Sequence, residues 1–204
     1  MADEESPGWG AIDDHLAATI RPGEPDRHWA AVPHFAAGGS DLLDGISAYA
    51  LGEEALYVSY GLSDLYEKSD PTDSESGYGF ELTLAVPHVA GAEFPKWPWG
   101  MMQYLARYVF SSGNVLLSGQ FLDGRAPIDG GSTEIEGCVF AVDPILGEIE
   151  TVHGSVRFLR VVGATRPELD AMRAGERTGD DLLGALQEHD AGLMTDLGRT
   201  GSLL

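Results

Sequence analysis

The sequence predicts an α+β fold, in which a mixed and largely antiparallel β-sheet is flanked by helices. Strand and helix patterns come in mixed order along the chain, and several strand candidates follow one another in its second half. This arrangement favours a largely antiparallel sheet with helices packed on it. Hydrophobic residues make up 43% of the 204 residues, which is enough to bury a full core.

Helices are predicted from apolar residues that recur every three or four positions and from capping boxes. The first apolar stripe consists of Trp9, Ile12, Leu16 and Ile20. The second stripe consists of Met101, Leu105, Tyr108 and Val109, within a helix predicted over roughly 98–111. Two short helices are predicted to begin at capping boxes, which are Thr165 with Glu168 and Thr178 with Asp181.

A regular alternation at 78–86 predicts a strand that buries one face and exposes the other. Its apolar face carries Tyr78, Phe80, Leu82, Leu84 and Val86. Further strands are predicted at 55–60, 115–121, 135–142 and 156–162, and the tail at 193–204 is expected to add a last strand. The Gly-rich segment 33–47 is predicted to be irregular.

The chain carries 33 acidic and 12 basic residues, for a formal net charge of −21. Phosphate backbones are bound through Lys and Arg, so this charge argues against direct nucleic-acid binding and against docking on anionic membranes. The sequence leaves two interpretations open. The charge is either a solubility property shared across a proteome, or the complement of a basic partner such as a nuclease.

The chain has features of a cytoplasmic protein. Cys138 is the only cysteine, so an internal disulfide is excluded and export to an oxidising compartment is not implied. The segment MADEESPGWG lacks the basic and apolar regions of a signal peptide. No apolar run approaches the roughly 18 residues that span a bilayer.

The residue types that carry chemistry form no recognisable catalytic or metal-binding pattern. The six histidines include no pair with the four-residue helical spacing of a zinc site. His28 and His34 are interpreted as hydrogen-bonded loop histidines, and Cys138 as a small buried hydrophobic residue. We therefore predict no metal, no cofactor and no catalytic residue.

Glu81 is the carboxylate of most interest, because it lies inside a predicted strand between apolar neighbours. Such a carboxylate is either solvated on an open face or held by a buried partner. A structural salt bridge is favoured over acid–base chemistry. The enzyme hypothesis that remains uses Glu81 together with a nearby histidine.

Several stretches in fixed order carry a specific resemblance. They are His34-Phe35 with GGSDLLDGISAY (38–49), YVSYGLSDLYEK (57–68), SGYGFELTLAV (76–86), WPWGMMQYLARYVFSSGN (97–114), DPILGEIETVHGSVRFLRVVG (143–163), PELDAM and LMTDLGR. In wording and order they resemble the Suppressor of Fused domain family, from about His34 to the end. Residues 1–33 are accordingly predicted to form an N-terminal extension with one amphipathic helix, and residues 34–204 a Suppressor of Fused-like domain.

The resemblance implies the fold of the family's N-terminal lobe and a binding role without catalysis. Animal members capture Gli transcription factors through a short extended peptide, which adds as a strand beside the sheet. The positions that match peptide-contacting residues of the family are Tyr66 and Asp73. From the residues alone, Tyr66 also fits a packing residue and Asp73 an ordinary loop acid. Animal members have a second lobe, and we expect this sequence to supply only the first half of their groove.

Stand-alone bacterial members of the family are associated with immunity against polymorphic toxins. The resemblance therefore favours a non-catalytic protein-binding domain that acts as an immunity protein and neutralises a partner toxin. The alternative is an adaptor or regulator that binds an extended peptide at a sheet edge. The expected partner is a protein in both cases, either a basic toxin domain or an extended peptide.

Overall fold

The computed structural model describes residues 6–31 and 41–204. This part of the chain contains four helices, which are α1 (Pro7–Thr19), α2 (Trp97–Ser112), α3 (Arg166–Arg173) and α4 (Gly179–His189). Its strands are β1 (Arg27–Ala30), β2 (Gly45–Leu51), β3 (Glu54–Tyr60), β4 (Glu75–Pro87), β5 (Phe121–Asp123), β6 (Ile135–Val142), β7 (Glu148–Thr151) and β8 (Gly154–Thr165). None of these helices is long and apolar enough to cross a membrane.

The described strands join one mixed sheet with the order β1-β2-β3-β4-β8-β6-β5, and β7 pairs with the first part of β8. Neighbouring strands run antiparallel except at the centre. There β4 and β8 run parallel, with Phe80 opposite Arg157. The predicted α+β fold with a mixed, largely antiparallel sheet is confirmed.

The helices cover both faces of the sheet and so create three layers. Helix α2 packs on one face, where Leu105 and Val109 contact a cluster that includes Leu82 on β4. Helix α1 packs on the other face through Ile12 and Leu16, both of which are fully buried. Helices α3 and α4 cover the remainder of that second face, over β6 and β8.

Strand β4 differs from the prediction, because it is buried on both faces rather than on one. Glu81, Thr83 and Ala85 all have 0% exposure, although they lie opposite the apolar face. Helix α1 covers this second face, where Ala85 packs in one cluster with Ile12 and Leu16. The C-terminal segment adds a backbone contact, because the amide of Thr195 donates to the carbonyl of Ala85 at 2.8 Å. The small and polar residues on that face are therefore buried against specific protein partners and do not face water.

Three further expectations about strands are wrong. The predicted strand at 115–121 is reduced to β5, which begins only at Phe121. The tail at 193–204 forms no strand. Strands β1, β2 and β7 were not predicted, and β2 begins inside the segment that was expected to be irregular.

The predicted helices are confirmed, and their ends follow the capping residues. Gly113 ends α2 with a φ of +71°, a left-handed conformation that glycine adopts without strain. Thr178 and Asp181 form a reciprocal capping box at the start of α4. At the start of α3, the Glu168 carboxylate accepts from the amide of Thr165 at 2.7 Å. The predicted domain boundary at residues 33 and 34 lies outside the described residues.

Candidate functional site

The loop at 61–74, which connects β3 to β4, carries both residues that the resemblance selects. Tyr66 is 42% exposed, and Asp73 is also exposed. We call this segment the β3–β4 loop. The hydrogen bonds within the β3–β4 loop determine whether Tyr66 and Asp73 are held in one fixed arrangement.

The beginning of the β3–β4 loop is held by the carboxylate of Glu81. Its Oε1 accepts from the amides of Gly61, Leu62 and Ser63 at 2.8, 3.0 and 2.9 Å. The Ser63 hydroxyl also donates to Oε1, at 2.7 Å, and the Ser59 hydroxyl donates to Oε2, at 2.5 Å. Burial raises the pKa of Glu81 to about 7, although these hydrogen bonds act to lower it.

The middle of the β3–β4 loop is fixed by Asp64. Its Oδ2 accepts from the amide of Ser69 and from the amide of Gly77, both at 3.0 Å. The amide of Asp64 donates in turn to the Ser76 hydroxyl at 2.9 Å. The loop is thereby tied to the first residues of β4.

Lys68 joins the β3–β4 loop to the turn between β7 and β8. Its Nζ donates to the carbonyl of Glu75 at 3.0 Å and also to the carbonyl of His153. The amide of Ser155 donates to the carbonyl of Ser74 at 3.1 Å, which closes the same junction. A loop with this many internal ties loses little conformational entropy when a partner binds it.

Tyr66 keeps its ring partly exposed while its hydroxyl is hydrogen-bonded to the side chain of Asp44. Burial is the main cause that raises the pKa of Tyr66, followed by the charge of Asp44 and this hydrogen bond. The amide of Asp44 donates to the carbonyl of Tyr60 at 2.8 Å, so the acceptor is itself fixed at the end of β3. The ring is therefore presented in a fixed orientation.

Asp73 uses part of its hydrogen-bonding capacity within the loop. Its Oδ1 accepts from the amide of Glu75 at 3.0 Å, and its amide donates to the carbonyl of Asp70 at 3.2 Å. Asp70 makes a similar turn by accepting from the amide of Thr72 at 2.9 Å. Asp73 thus shapes the approach to β4, and its exposed position leaves its second oxygen accessible.

A small cavity of about 360 Å³ lies beside the start of the β3–β4 loop. It lies between the loop, the start of β4 and the end of α2. Its lining includes Ser63, Asp64, Tyr78 and Phe110. It can accommodate one side chain of a partner rather than a whole ligand.

The enzyme hypothesis for Glu81 is not supported by this geometry. The hydrogen bonds that Glu81 makes to described residues come from hydroxyls and backbone amides, with no histidine among them. Its side chain has 0% exposure, so no substrate reaches it. The favoured salt bridge is also wrong, because these partners carry no charge.

The histidines and the cysteine that were considered as possible functional residues lie in ordinary packing and hydrogen-bonding environments where the structure describes them. The prediction of a loop position for His28 is wrong, because His28 lies in strand β1, where its Nδ1 lies 3.0 Å from the Ser47 hydroxyl. His34 lies outside the described residues. Cys138 is fully buried, and burial raises the pKa of its thiol to about 12. Across residues 6–31 and 41–204, no group of three or more His, Cys, Asp and Glu side chains is arranged to hold a metal ion.

Comparison with known proteins agrees with the geometry of this fold. The family model described as Suppressor of fused protein (SUFU) matches residues 39–200. The chain belongs to the Suppressor of fused family. The human protein named Suppressor of fused homolog is 35% identical over 171 residues, which cover 77% of this chain and 35% of that protein. The chain thus spans about a third of the length of the curated relatives that it matches.

Solved structures show the same relationship in three dimensions. A chain in the crystal structure of the Sufu–Fu complex superposes with a TM-score of 0.88 and 28% identity, over 98% of this chain and 93% of that one. A putative SUFU homolog from Neisseria gonorrhoeae FA 1090 superposes with a TM-score of 0.63 and 13% identity, over 100% of this chain and 98% of that one. This second match shows the fold alone.

The sequence indicated Tyr66 and Asp73 through the Suppressor of fused resemblance, and the structure places both on the β3–β4 loop. Of the residues that fix this loop and its tyrosine, the sequence singled out Glu81 but not Asp44, Asp64 or Lys68. Lys68 is one of only two lysines in the sequence, which is the one signal that singles it out. Asp64 accepts from the backbone amides of Ser69 and Gly77, and Asp44 meets Tyr66 only through the fold, so neither role leaves a pattern in the sequence.

Proposed function

We propose that this chain is a non-catalytic protein-binding domain, and that its partner contacts the β3–β4 loop through Tyr66 and Asp73. The observation that carries the proposal is the partly exposed Tyr66 ring on a loop held by many internal hydrogen bonds. Tyrosine is one of the residue types that are enriched among those that dominate binding energy at protein interfaces. The Sufu–Fu complex, in which a family member is bound to a protein partner, supports a binding role of this kind.

The partner that we propose is a toxin, which this domain neutralises as an immunity protein. The net charge of −21 supports a basic toxin domain, because opposite charges accelerate encounter and favour the correct partner. The test is co-expression with the toxin encoded beside this gene, followed by purification of the complex. A 1:1 complex and loss of toxicity are expected, whereas failure of every neighbouring toxin to form a complex would refute this function.

The second candidate is an adaptor that binds an extended peptide at a sheet edge. The strand order ends at β1 and β5, and such edges accept an added strand through backbone hydrogen bonds. A peptide array separates the two candidates, since an adaptor binds an isolated short peptide and an immunity protein needs a folded surface. Saturable binding of one short peptide, without binding to any toxin domain, would favour the adaptor.

The binding site is tested by replacing Tyr66 and Asp73 with alanine, separately and together. Tyr66→Ala is expected to weaken partner binding by roughly tenfold to thirtyfold, equivalent to about 1.4 to 2 kcal/mol, with unchanged folding. Tyr104→Ala is the matched control, because Tyr104 is 54% exposed on α2 and lines a cavity beside β5 instead. Asp129→Ala controls for Asp73, because Asp129 also accepts from an amide two residues later. Unchanged affinity in both site variants would remove this site from the proposal.

A further inference from the structure

Strands β3 and β4 separate at the point where the β3–β4 loop begins. Their backbone pairing extends from Glu54 opposite Pro87 to Val58 opposite Thr83. Beyond that pair, the amide of Leu82 donates to the Ser59 hydroxyl at 2.8 Å rather than to a strand carbonyl. Residues 59 and 60 keep only their pairing with β2, so the chain leaves the sheet after Tyr60, and another contact must set its direction there.

The Glu81 side chain supplies that contact. Its Oε1 receives the three successive amides of Gly61, Leu62 and Ser63 within 3.0 Å. Three consecutive amides that converge on one anion form a concave backbone site, which forms only when the chain follows one particular path. Gly61 permits this path with a φ of +123°, and a Cβ at that position would lie 2.9 Å from the amide nitrogen of Asp44.

The carboxylate and the loop depend on each other energetically. Glu81 has 0% exposure, and a buried carboxylate is tolerated only when hydrogen bonds replace its water. Any other path for residues 61–63 would leave that carboxylate with only the Ser59 hydroxyl and without its four other donors. The same path places Gly61 against Asp44, whose side chain holds the Tyr66 hydroxyl. Glu81 thus fixes the start of the loop that carries Tyr66, and with it the position of Gly61 beside Asp44.

We propose that Glu81 is a positioning residue, which sets the path of the β3–β4 loop and thereby presents Tyr66 to the protein partner. The inference rests on the proposed function for the role of Tyr66 in binding. The effect on the loop itself does not depend on a partner and is measured separately.

The first experiment compares Glu81→Gln with Glu168→Gln in the protein alone. Glu168 is also fully buried and also accepts from a backbone amide, but it lies on α3 and pairs with Arg199. Glu81→Gln is expected to accelerate amide hydrogen exchange at 61–66 at least tenfold and to move the pKa of Tyr66 towards its ordinary value. The titration is followed by NMR with ring-labelled tyrosine, and Tyr66→Phe assigns the resonance.

The control variant, Glu168→Gln, should change neither the exchange at 61–66 nor the pKa of Tyr66. Equal exchange at 61–66 in the two variants would overturn the inference.

The second experiment is a double-mutant cycle, with affinity measured for the toxin that co-purifies in the test above. If Glu81 acts through Tyr66, Glu81→Gln weakens binding, and adding it to Tyr66→Ala weakens binding no further. Full additivity would overturn the inference. If Tyr66→Ala itself binds normally, the proposed function fails at this site, while the exchange experiment still decides whether Glu81 holds the loop.

A milder variant guards against loss of folding in Glu81→Gln. Ser63→Ala removes one hydroxyl donor, at 2.7 Å from Glu81, and leaves the backbone amide in place. It is expected to accelerate exchange at 61–66 by a smaller factor, in the same residues. The positioning role would be overturned if Glu81→Gln failed to fold and Ser63→Ala left amide hydrogen exchange at 61–66 unchanged. Glu81 would then be a residue that is needed only for folding.

Discussion

Arg160 and Asp143 form an ion pair in the interior, with 2.9 Å between Nη2 and Oδ2 and exposures of 2% and 0% for their side chains. Asp143 also accepts from the Thr83 hydroxyl at 2.6 Å and from the amides of Ile145 and Leu146. Burial opposes ionisation of Asp143, but Arg160 and these donors outweigh it and lower its pKa. The pair thus joins β8, β4 and the turn before β7.

Asp143→Asn is expected to lower the free energy of unfolding by about 3 to 5 kcal/mol, because it leaves Arg160 buried without its counterion. Urea denaturation measures the change. Glu148→Gln is the matched control, because Glu148 pairs with Arg157 at the same 2.9 Å but the two side chains are 44% and 34% exposed. The control should cost less than about 1 kcal/mol. Similar losses in both variants would contradict the prediction.

Glu81 is expected to make the folded state less stable as the pH rises. Its pKa in the folded protein is about 7, above the ordinary value of 4.5, so the folded state binds this proton more tightly than the unfolded state does. Its contribution is therefore fully present below about pH 4.5 and is lost as the pH rises through 7. The loss amounts to about 3 kcal/mol.

The pH dependence is measured by urea denaturation at pH 5 and pH 8 for the native sequence and for Glu81→Gln. The variant removes this titration and should show a smaller decrease between the two pH values. Other carboxylates titrate equally in both proteins, so the difference between the two profiles isolates Glu81. Parallel profiles would contradict the prediction.

Cys138 is expected to be unreactive in the folded protein. Its side chain has 0% exposure, and burial raises the pKa of the thiol to about 12, so the nucleophilic thiolate is absent near neutral pH. Labelling with a thiol-specific disulfide reagent should be ~1,000-fold slower, or more, in buffer than in denaturant, since only the unfolded fraction reacts. Rapid labelling of the folded protein would show that β6 opens locally.

Gly154 is expected to tolerate no side chain. It has a φ of +116°, and a Cβ there would lie 2.3 Å from the carbonyl oxygen of Ser74. Gly154→Ala should lower the free energy of unfolding by about 3 kcal/mol or more, because strain and a backbone clash combine. Gly52→Ala is the control, since Gly52 has a φ of +72° but no atom within 4 Å of its Cβ. Thermal denaturation should show a loss of only about 1 to 2 kcal/mol for the control.

Helices and strands with a long apolar periodicity were predictable from the sequence. Elements that are short, or whose large apolar residues are few and unevenly spaced, were not. Helix α2 and strand β6 lie within one residue of their predicted ends, because apolar periodicity and flanking turn residues define them. Strand β2 escaped prediction because its large apolar residues, Ile46, Tyr49 and Leu51, are unevenly spaced among Gly, Ser and Ala. Strands β1 and β7 have four residues each, too few to establish a period.

The candidate site was predictable only in part, for a physical reason. Tyr66 and Asp73 came from the family resemblance, which depends on side-chain identity. The anchoring of the β3–β4 loop depends on backbone amides, and every residue except proline has one, so sequence does not distinguish the donors. Glu81 was conspicuous as a carboxylate in an apolar strand, but its partners became identifiable only from the path of residues 59–63.

The parallel pairing of β4 with β8 has a consequence for the folding rate. Helix α2 and strands β5, β6 and β7 all intervene between these two strands in the chain, so the central contact closes a long loop. The tight turns that connect β2 to β3 and β7 to β8 bring neighbouring residues together and cost little entropy. We therefore expect the two hairpins to form early and the joining of the two halves to limit the rate, which makes this a slow folder for its size.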